Sequence, residues 1–123
     1  MAVMQSRDTR TFIAGEDLSS AQFKFVTLEA DGQVDLADAA GERAVGVLLN
    51  KPTAGKAATV AMTGKVMVVA GATVTAGDEI ATDAAGDAVT AASTNIVMGY
   101  ALEDAVDGQV FAIELIQGGN AAA

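Results

Sequence analysis

The chain has 123 residues, enough for one domain with a single ordinary core. It contains neither Cys nor His, which excludes disulfides, thiolate zinc sites, His-bearing metal sites and any Ser-His-Asp or Cys-His nucleophilic apparatus within the chain, and leaves only hard, oxygen-held ions as conceivable ligands. Seven Lys+Arg stand against sixteen Asp+Glu for a formal net charge of −9, and from Val66 to Ala123 there are eight acids and no base, a balance that argues against nucleic acid and anionic membranes as partners.

In chain order, Met1 to Phe12 is polar and carries Arg7 and Arg10. It lacks the basic start and apolar core of a secretory signal. Extended, its first ten residues would reach about 33–36 Å, and it reads either as a disordered terminus or as an arm that orders on a neighbouring chain. DLSSAQ could form a turn or two of helix capped by Asp17 or Ser19. Beyond it, short runs rich in Val, Thr, Ile, Leu and Phe (FKFVTL, RAVGVLL, ATVAMTG, KVMVVA, NIVMGYAL, QVFAIELI) lie between Gly and Asp-Gly punctuation and read as strands. In QVFAIELI, Phe111, Ile113 and Leu115 share one face and Glu114 lies on the other. The tail GGNAAA has nothing to pack. No apolar run approaches the roughly 18 residues needed to cross a bilayer, so the chain is expected to be soluble.

The middle of the chain repeats. ADGQVDLADAAGERAVGVLLNKPTAGKAATVAM can be laid over TDAAGDAVTAASTNIVMGYALEDAVDGQVFAIEL, so that Gly32, Gly46 and Gly55 fall on Gly86, Gly99 and Gly108, at offsets of 54, 53 and 53 residues. The shared pattern is an acidic turn, a strand, a spacer, a second strand, a Gly turn and an alternating strand. The expected fold is therefore all-β, a compact barrel or sandwich built from two similar half-repeats, with an extended N-terminal arm and little helix. The expected organisation is an arm at 1–12, a β-domain at 13–117 and a flexible tail at 118–123.

Candidate sites are few. VTAGDEIATDAAGDAVTA places Asp78, Glu79, Asp83 and Asp87 within ten residues. Calcium loops need alternating oxygen ligands converging on one point, whereas turns at Ala76-Gly77 and Ala84-Ala85-Gly86 would put these acids at opposite ends of a strand. They read as acidic turns. No phosphate-binding G-x-x-x-x-G-K-[ST] occurs, and four Phe with Tyr100 make no stacking platform. Phe23, Phe25, Phe111 and Tyr100 are expected in the core or at an interface. AMTGKVMVVAGATVTAGDEI is somewhat similar to biotinyl and lipoyl carrier domains, which are β-barrels of two similar halves with a modified Lys at a hairpin tip. Lys65 follows Gly64 without a Met-Lys-Met, so a solvated turn Lys is the simpler reading and the carrier is kept as the alternative.

Taken together, DLSSAQFKFVTLEADGQV, RAVGVLLNKPTAGKAATVAMTG, VTAGDEIATDAAGDAV and MGYALEDAVDGQVFAIEL, in this order from about Asp17 to Ile116, resemble the small capsid decoration or cement proteins of tailed bacteriophages. The resemblance implies a non-catalytic structural virion protein without cofactors. Such a protein sits on the outer surface of an icosahedral head and stabilises the lattice of the major capsid protein. Its partners would be the major capsid protein and other copies of itself; three copies around a local threefold axis is the guess, with monomers or dimers equally buildable. A stable rivet needs interface area, which an arm supplies by strand addition. Met4, Arg7, Arg10 and Phe12 are then the candidate capsid contacts, the arginines facing capsid carboxylates.

Overall fold

The computed structural model describes residues 5–117, with side chains from Asp8 onward. Its elements are all strands: β1 Gln5–Ile13, β2 Phe25–Leu28, β3 Val34–Leu36, β4 Gly46–Leu48, β5 Ala57–Val69, β6 Glu79–Thr82, β7 Ala88–Thr90, β8 Gly99–Ala101 and β9 Val110–Leu115. They form one curled, half-barrel sheet with the path β3-β2-β4-β5-β9-β8-β6-β7, and β1 is added along β5. All ladders are antiparallel. The DLSSAQ segment forms turns instead of helix. The Asp17 carboxylate accepts the Ser19 N–H at 3.0 Å, and the Ala21 N–H bonds the Leu18 carbonyl. A side chain that bonds the backbone two residues on holds a turn and competes with helix.

The half-repeat is carried by the pairing itself. β2 pairs with β3 and β4, and β4 with β5; β6 pairs with β7 and β8, and β8 with β9. Loop bonds recur at equivalent positions. Val45 N–H to Val26 O matches Met98 N–H to Ile80 O, and Leu49 N–H to Thr59 O matches Leu102 N–H to Ala112 O. Gly32 and Gly86 turn with φ of 83° and 80°, Gly55 and Gly108 with 82° and 85°. These are left-handed positions that glycine adopts without a Cβ penalty.

The repeat extends further upstream than the aligned segments. Ile13 pairs with Ala57 as Val69 pairs with Val110, and Ala14 N–H bonds Lys56 O as Ala70 N–H bonds Gln109 O. β1 thus stands to residues 57–62 as residues 63–69 stand to β9. Residues 5–12 of the expected arm form an extended strand, and its partner is β5 of the same chain. The expected tail at 118–123 lies outside the described residues.

ATVAMTG and KVMVVA, expected as two strands, are one strand of 13 residues. Gly64 has φ of 106°, but it marks a change of partner and not a turn: β4 pairs at Val60 and Ala61, β9 from Gly64 to Val69. Irregularities at the same place leave Arg7 of β1 and Met62 of β5 without direct partners. A bulge of this kind turns the following side chains to the other face. Ala58 and Val60 enter one core cluster, with Leu18, Val26, Val34 and Leu48; beyond the bulge Val66 and Val68, at the same alternation, join Ala61 of the opposite face in a second, with Ile80, Met98, Phe111, Ile113 and Leu115.

The two halves are not packed alike. The cross-strand row Phe25–Val47–Ala61 on the first half is fully buried in the second half's cluster. The equivalent row on the second half, Glu79–Tyr100–Glu114, faces outward. Polar bonds also join the halves. Phe25 N–H meets Gly86 O at 2.8 Å, Gly41 N–H meets Thr82 O at 2.8 Å, and Gln117 Nε2 donates to Val45 O at 3.0 Å and Met62 O at 2.7 Å.

Candidate functional site

The four clustered carboxylates are distributed over the β6–β7 hairpin. At one end Asp78 accepts the Thr75 N–H at 3.0 Å and the Thr90 hydroxyl at 2.9 Å. At the other, Asp83 accepts the N–H groups of Ala85 and Asp87 at 2.8 and 2.9 Å. Asp87 lies 3.3 Å from the Lys24 ammonium, across the junction between the halves. Burial raises the Asp87 pKa and Lys24 opposes that shift. Glu79 is exposed on β6. Among the described residues no three Asp or Glu converge as a metal site. Asp78 and Asp83 hold turns, and Asp87 joins the two halves.

A more concentrated acidic surface was not visible in the sequence. A groove along β2 and β3 is lined by Glu16, Glu29, Asp35, Asp38 and Glu42, with Arg43 at its side. Two of these acids hold backbone: Glu16 accepts the Leu36 N–H at 2.9 Å, and Glu42 accepts the Asp38 and Ala39 N–H groups, both at 2.8 Å. One Asp35 carboxylate oxygen is shielded from solvent without a hydrogen-bond partner. Burial, then the charges of Glu16, Glu29, Asp31 and Asp38, raise the Asp35 pKa above 3.8. The folded state therefore binds more protons than the unfolded state between pH 3.8 and the raised value. Stability falls as pH climbs through that window and stays lower above it. Asp35→Asn is expected to raise the thermal midpoint at pH 7 by a few degrees and to change little below pH 3.8. A paired melting series from pH 3 to 7 checks both limits.

Lys65 is not at a turn. It lies inside β5, opposite Glu114 on β9. A carrier lysine must present itself at a hairpin tip, so the carrier reading loses its geometry here. Gly64 looked like punctuation only because its place in a continuous strand depends on partners remote in sequence.

Of the four candidate contacts, Met4 lies outside the described residues, as does the side chain of Arg7. Arg10 is exposed on β1, its Nε 3.4 Å from the Asp8 carboxylate. Phe12 is half-buried against the first half's cluster, as are Leu36, Val45 and Met62. Of the aromatics, Phe25 and Phe111 are fully buried, Phe23 is half-buried at φ 66°, and Tyr100 is exposed. Sequence reasoning missed that Tyr100 on β8, Leu102 just after it and Val110 on β9, all within strand-like runs, stand exposed.

The described residues thus form an open all-β sheet in which Asp78 and Asp83 hold turns and Asp87 meets Lys24 across the halves. In fold it is similar to the head fiber gp8.5 N base of bacteriophage phi29, known from a crystal structure, with a TM-score of 0.72 and 22% identity over 94% of this chain and 98% of that one. No curated protein sequence matches the chain. The family of phage cement proteins matches residues 4–115, and the chain belongs to that family. It is a phage capsid structural protein and a virion component.

Proposed function

We propose that this protein cements a phage head: it binds the outer surface of the icosahedral shell and holds neighbouring major capsid subunits against internal pressure, without catalysis. The observation that carries the reading is the match to phage cement proteins over almost the whole chain. The charge balance agrees with it, since a surface of net charge −9 belongs outside the shell, away from packaged DNA. Three copies around a local threefold axis remains the arrangement to test first. The division into arm, domain and tail is likewise part of the proposal, with β1 carrying the arm's contacts.

The test is co-sedimentation with expanded heads of the source phage stripped of this protein. The expected result is saturation at a simple fraction of the major capsid protein and a higher temperature of DNA release. Absence of binding overturns the reading.

Arg7 and Arg10, with Met4 and Phe12, are the proposed contacts on the N-terminal strand. The exposed Asp8–Arg10 pair adds little to stability. Charge reversal at Arg7 and Arg10 together is therefore expected to weaken head binding about tenfold, the effect of losing one good charge-assisted contact, with the melting temperature nearly unchanged. Unaltered binding would remove β1 from the interface.

A further inference from the structure

We propose that the outer face of the second half, centred on Tyr100, Leu102 and Val110, is a docking surface for a protein patch with an apolar centre and a basic rim on the exterior of the shell. The inference rests on the cement reading for where that partner patch lies.

The face is defined by register. Tyr100 stands opposite Glu114, Met67 opposite Ala112 and Val69 opposite Val110, and the Leu102 N–H bonds the Ala112 carbonyl. Side chains two residues apart on a strand share a face. Tyr100, Leu102 and Val110 are 44%, 45% and 40% exposed. Met67 and Val69 are half-buried beside them.

The first half supplies an internal control. Its equivalents of Tyr100 and Leu102 are Val47, fully buried, and Leu49, half-buried, both packed on the second half's cluster. An apolar residue has a reason to be there. The same two positions on the second half stay apolar although nearly half of each is exposed. Elsewhere on the face the first half carries Thr11, Ala57 and Thr59 where the second carries Met67, Val110 and Ala112. Ile13, 42% exposed, corresponds to Val69, so that position is apolar in both halves, and Ala112 is buried. At Met67 and Val110 the first half shows that the fold accepts Thr and Ala, and there the second half is more apolar than its own packing requires. Contiguous exposed apolar patches rimmed by polar residues mark interaction sites, and Tyr is enriched among residues that dominate binding.

Charge decides the occupant. Glu79 and Glu114 flank Tyr100, Asp104 and Asp107 follow in the β8–β9 connection, and Lys65 opposite Glu114 is the one base at the margin among the described residues. A second copy docked face to face would set Glu79 and Glu114 against their own kind. A basic rim complements them and suppresses that alternative.

The experiment compares wild-type protein with Leu102→Glu/Val110→Glu and with the milder Tyr100→Ala/Leu102→Ala, using stripped expanded heads as the probe and sedimentation of the free proteins for self-association. Both variants are expected to melt within a few degrees of wild type, to keep its sedimentation, and to bind heads at least about tenfold more weakly. Wild-type affinity in the milder variant, with its fold verified, overturns the proposal. So does a change in self-association with head binding retained, which assigns the face to a second copy. Failure of wild-type protein itself to bind would overturn the cement reading and this inference together, whereas wild-type binding with unaffected variants overturns this inference alone.

Discussion

Gly46→Ala and Gly99→Ala are each expected to lower the thermal midpoint by roughly 10–20 °C. β4 and β8 approach their neighbours so closely that a Cβ at Gly46 would overlap the Ala61 carbonyl oxygen, and one at Gly99 the Glu114 carbonyl oxygen. Val60 Cγ1 also lies 2.7 Å from the Gly46 position, and the Glu114 carbonyl carbon 3.0 Å from the Gly99 position. The obstacles are mainly backbone atoms held in ladders, so no side-chain rotation relieves them. Overpacking a core costs about 1–3 kcal/mol, occasionally more, and these sites belong at the upper end. A loss of about 3 kcal/mol is a large part of a stability of about 5–15 kcal/mol, and each kcal/mol moves the midpoint of a small domain by about 4–8 °C. Gly55→Ala is the control: nothing lies within 4 Å of its Cβ position, but φ is +82°. It should cost only the left-handed penalty of about 1–2 kcal/mol. Circular dichroism melts of the three variants decide the matter. A Gly46→Ala protein that melts with the control would mean that β4 can move away from β5.

The same glycines show what the sequence could tell and where it stopped. Gly32, Gly46 and Gly55 matched Gly86, Gly99 and Gly108 because turns and close approaches demand glycine wherever the fold repeats them, so the half-repeat and the all-β class were legible. The role of each glycine was not. Gly46 and Gly99 fall inside the strand-like runs RAVGVLL and NIVMGYAL, but nothing local shows that each is pressed against a neighbour, and Gly64, which read as a break between two strands, is a partner change within β5. Burial was hidden for a related reason. Alternation tells which residues share a face, but not which face is covered. Val47 and Tyr100 occupy the same place in the repeat, and only tertiary packing buries one and exposes the other. The acidic groove joins Glu16 to Asp35, Asp38 and Glu42 through the turn between β1 and β2, a contact with no local signature. An extended N-terminal segment could be read from residues 1–12, but its pairing with β5 could not, because ladder bonds are made by backbone that every residue shares.

Phe25→Ala is expected to cost about 3–5 kcal/mol, the range for truncating a buried aromatic, while Glu79→Ala at the equivalent position should stay within about 0.5 kcal/mol, as exposed substitutions do. Phe25 is fully buried, and although it begins β2 of the first half, it packs in the cluster built by β5, β6, β8 and β9 of the second. Its N–H bonds Gly86 O, and the neighbouring Lys24 meets Asp87. Removing the ring therefore opens the joint between the halves as well as a cavity within one of them. Two consequences can be measured. In urea the midpoint should fall with the slope unchanged, because the unit that unfolds is still the whole domain. In native-state hydrogen exchange, the Ile80, Ile113 and Leu115 amides of the second half should lose protection together with the Val26 and Leu48 amides of the first. Separate losses, with Ile113 still protected where Val26 exchanges freely, would show that each half keeps its own core and that the buried row of Phe25, Val47 and Ala61 does not couple them. A single shared loss would make the asymmetry of the repeat the source of its cooperativity: one half's outer row completes the other's core, which leaves the remaining outer row, with Tyr100, outside the fold's own packing.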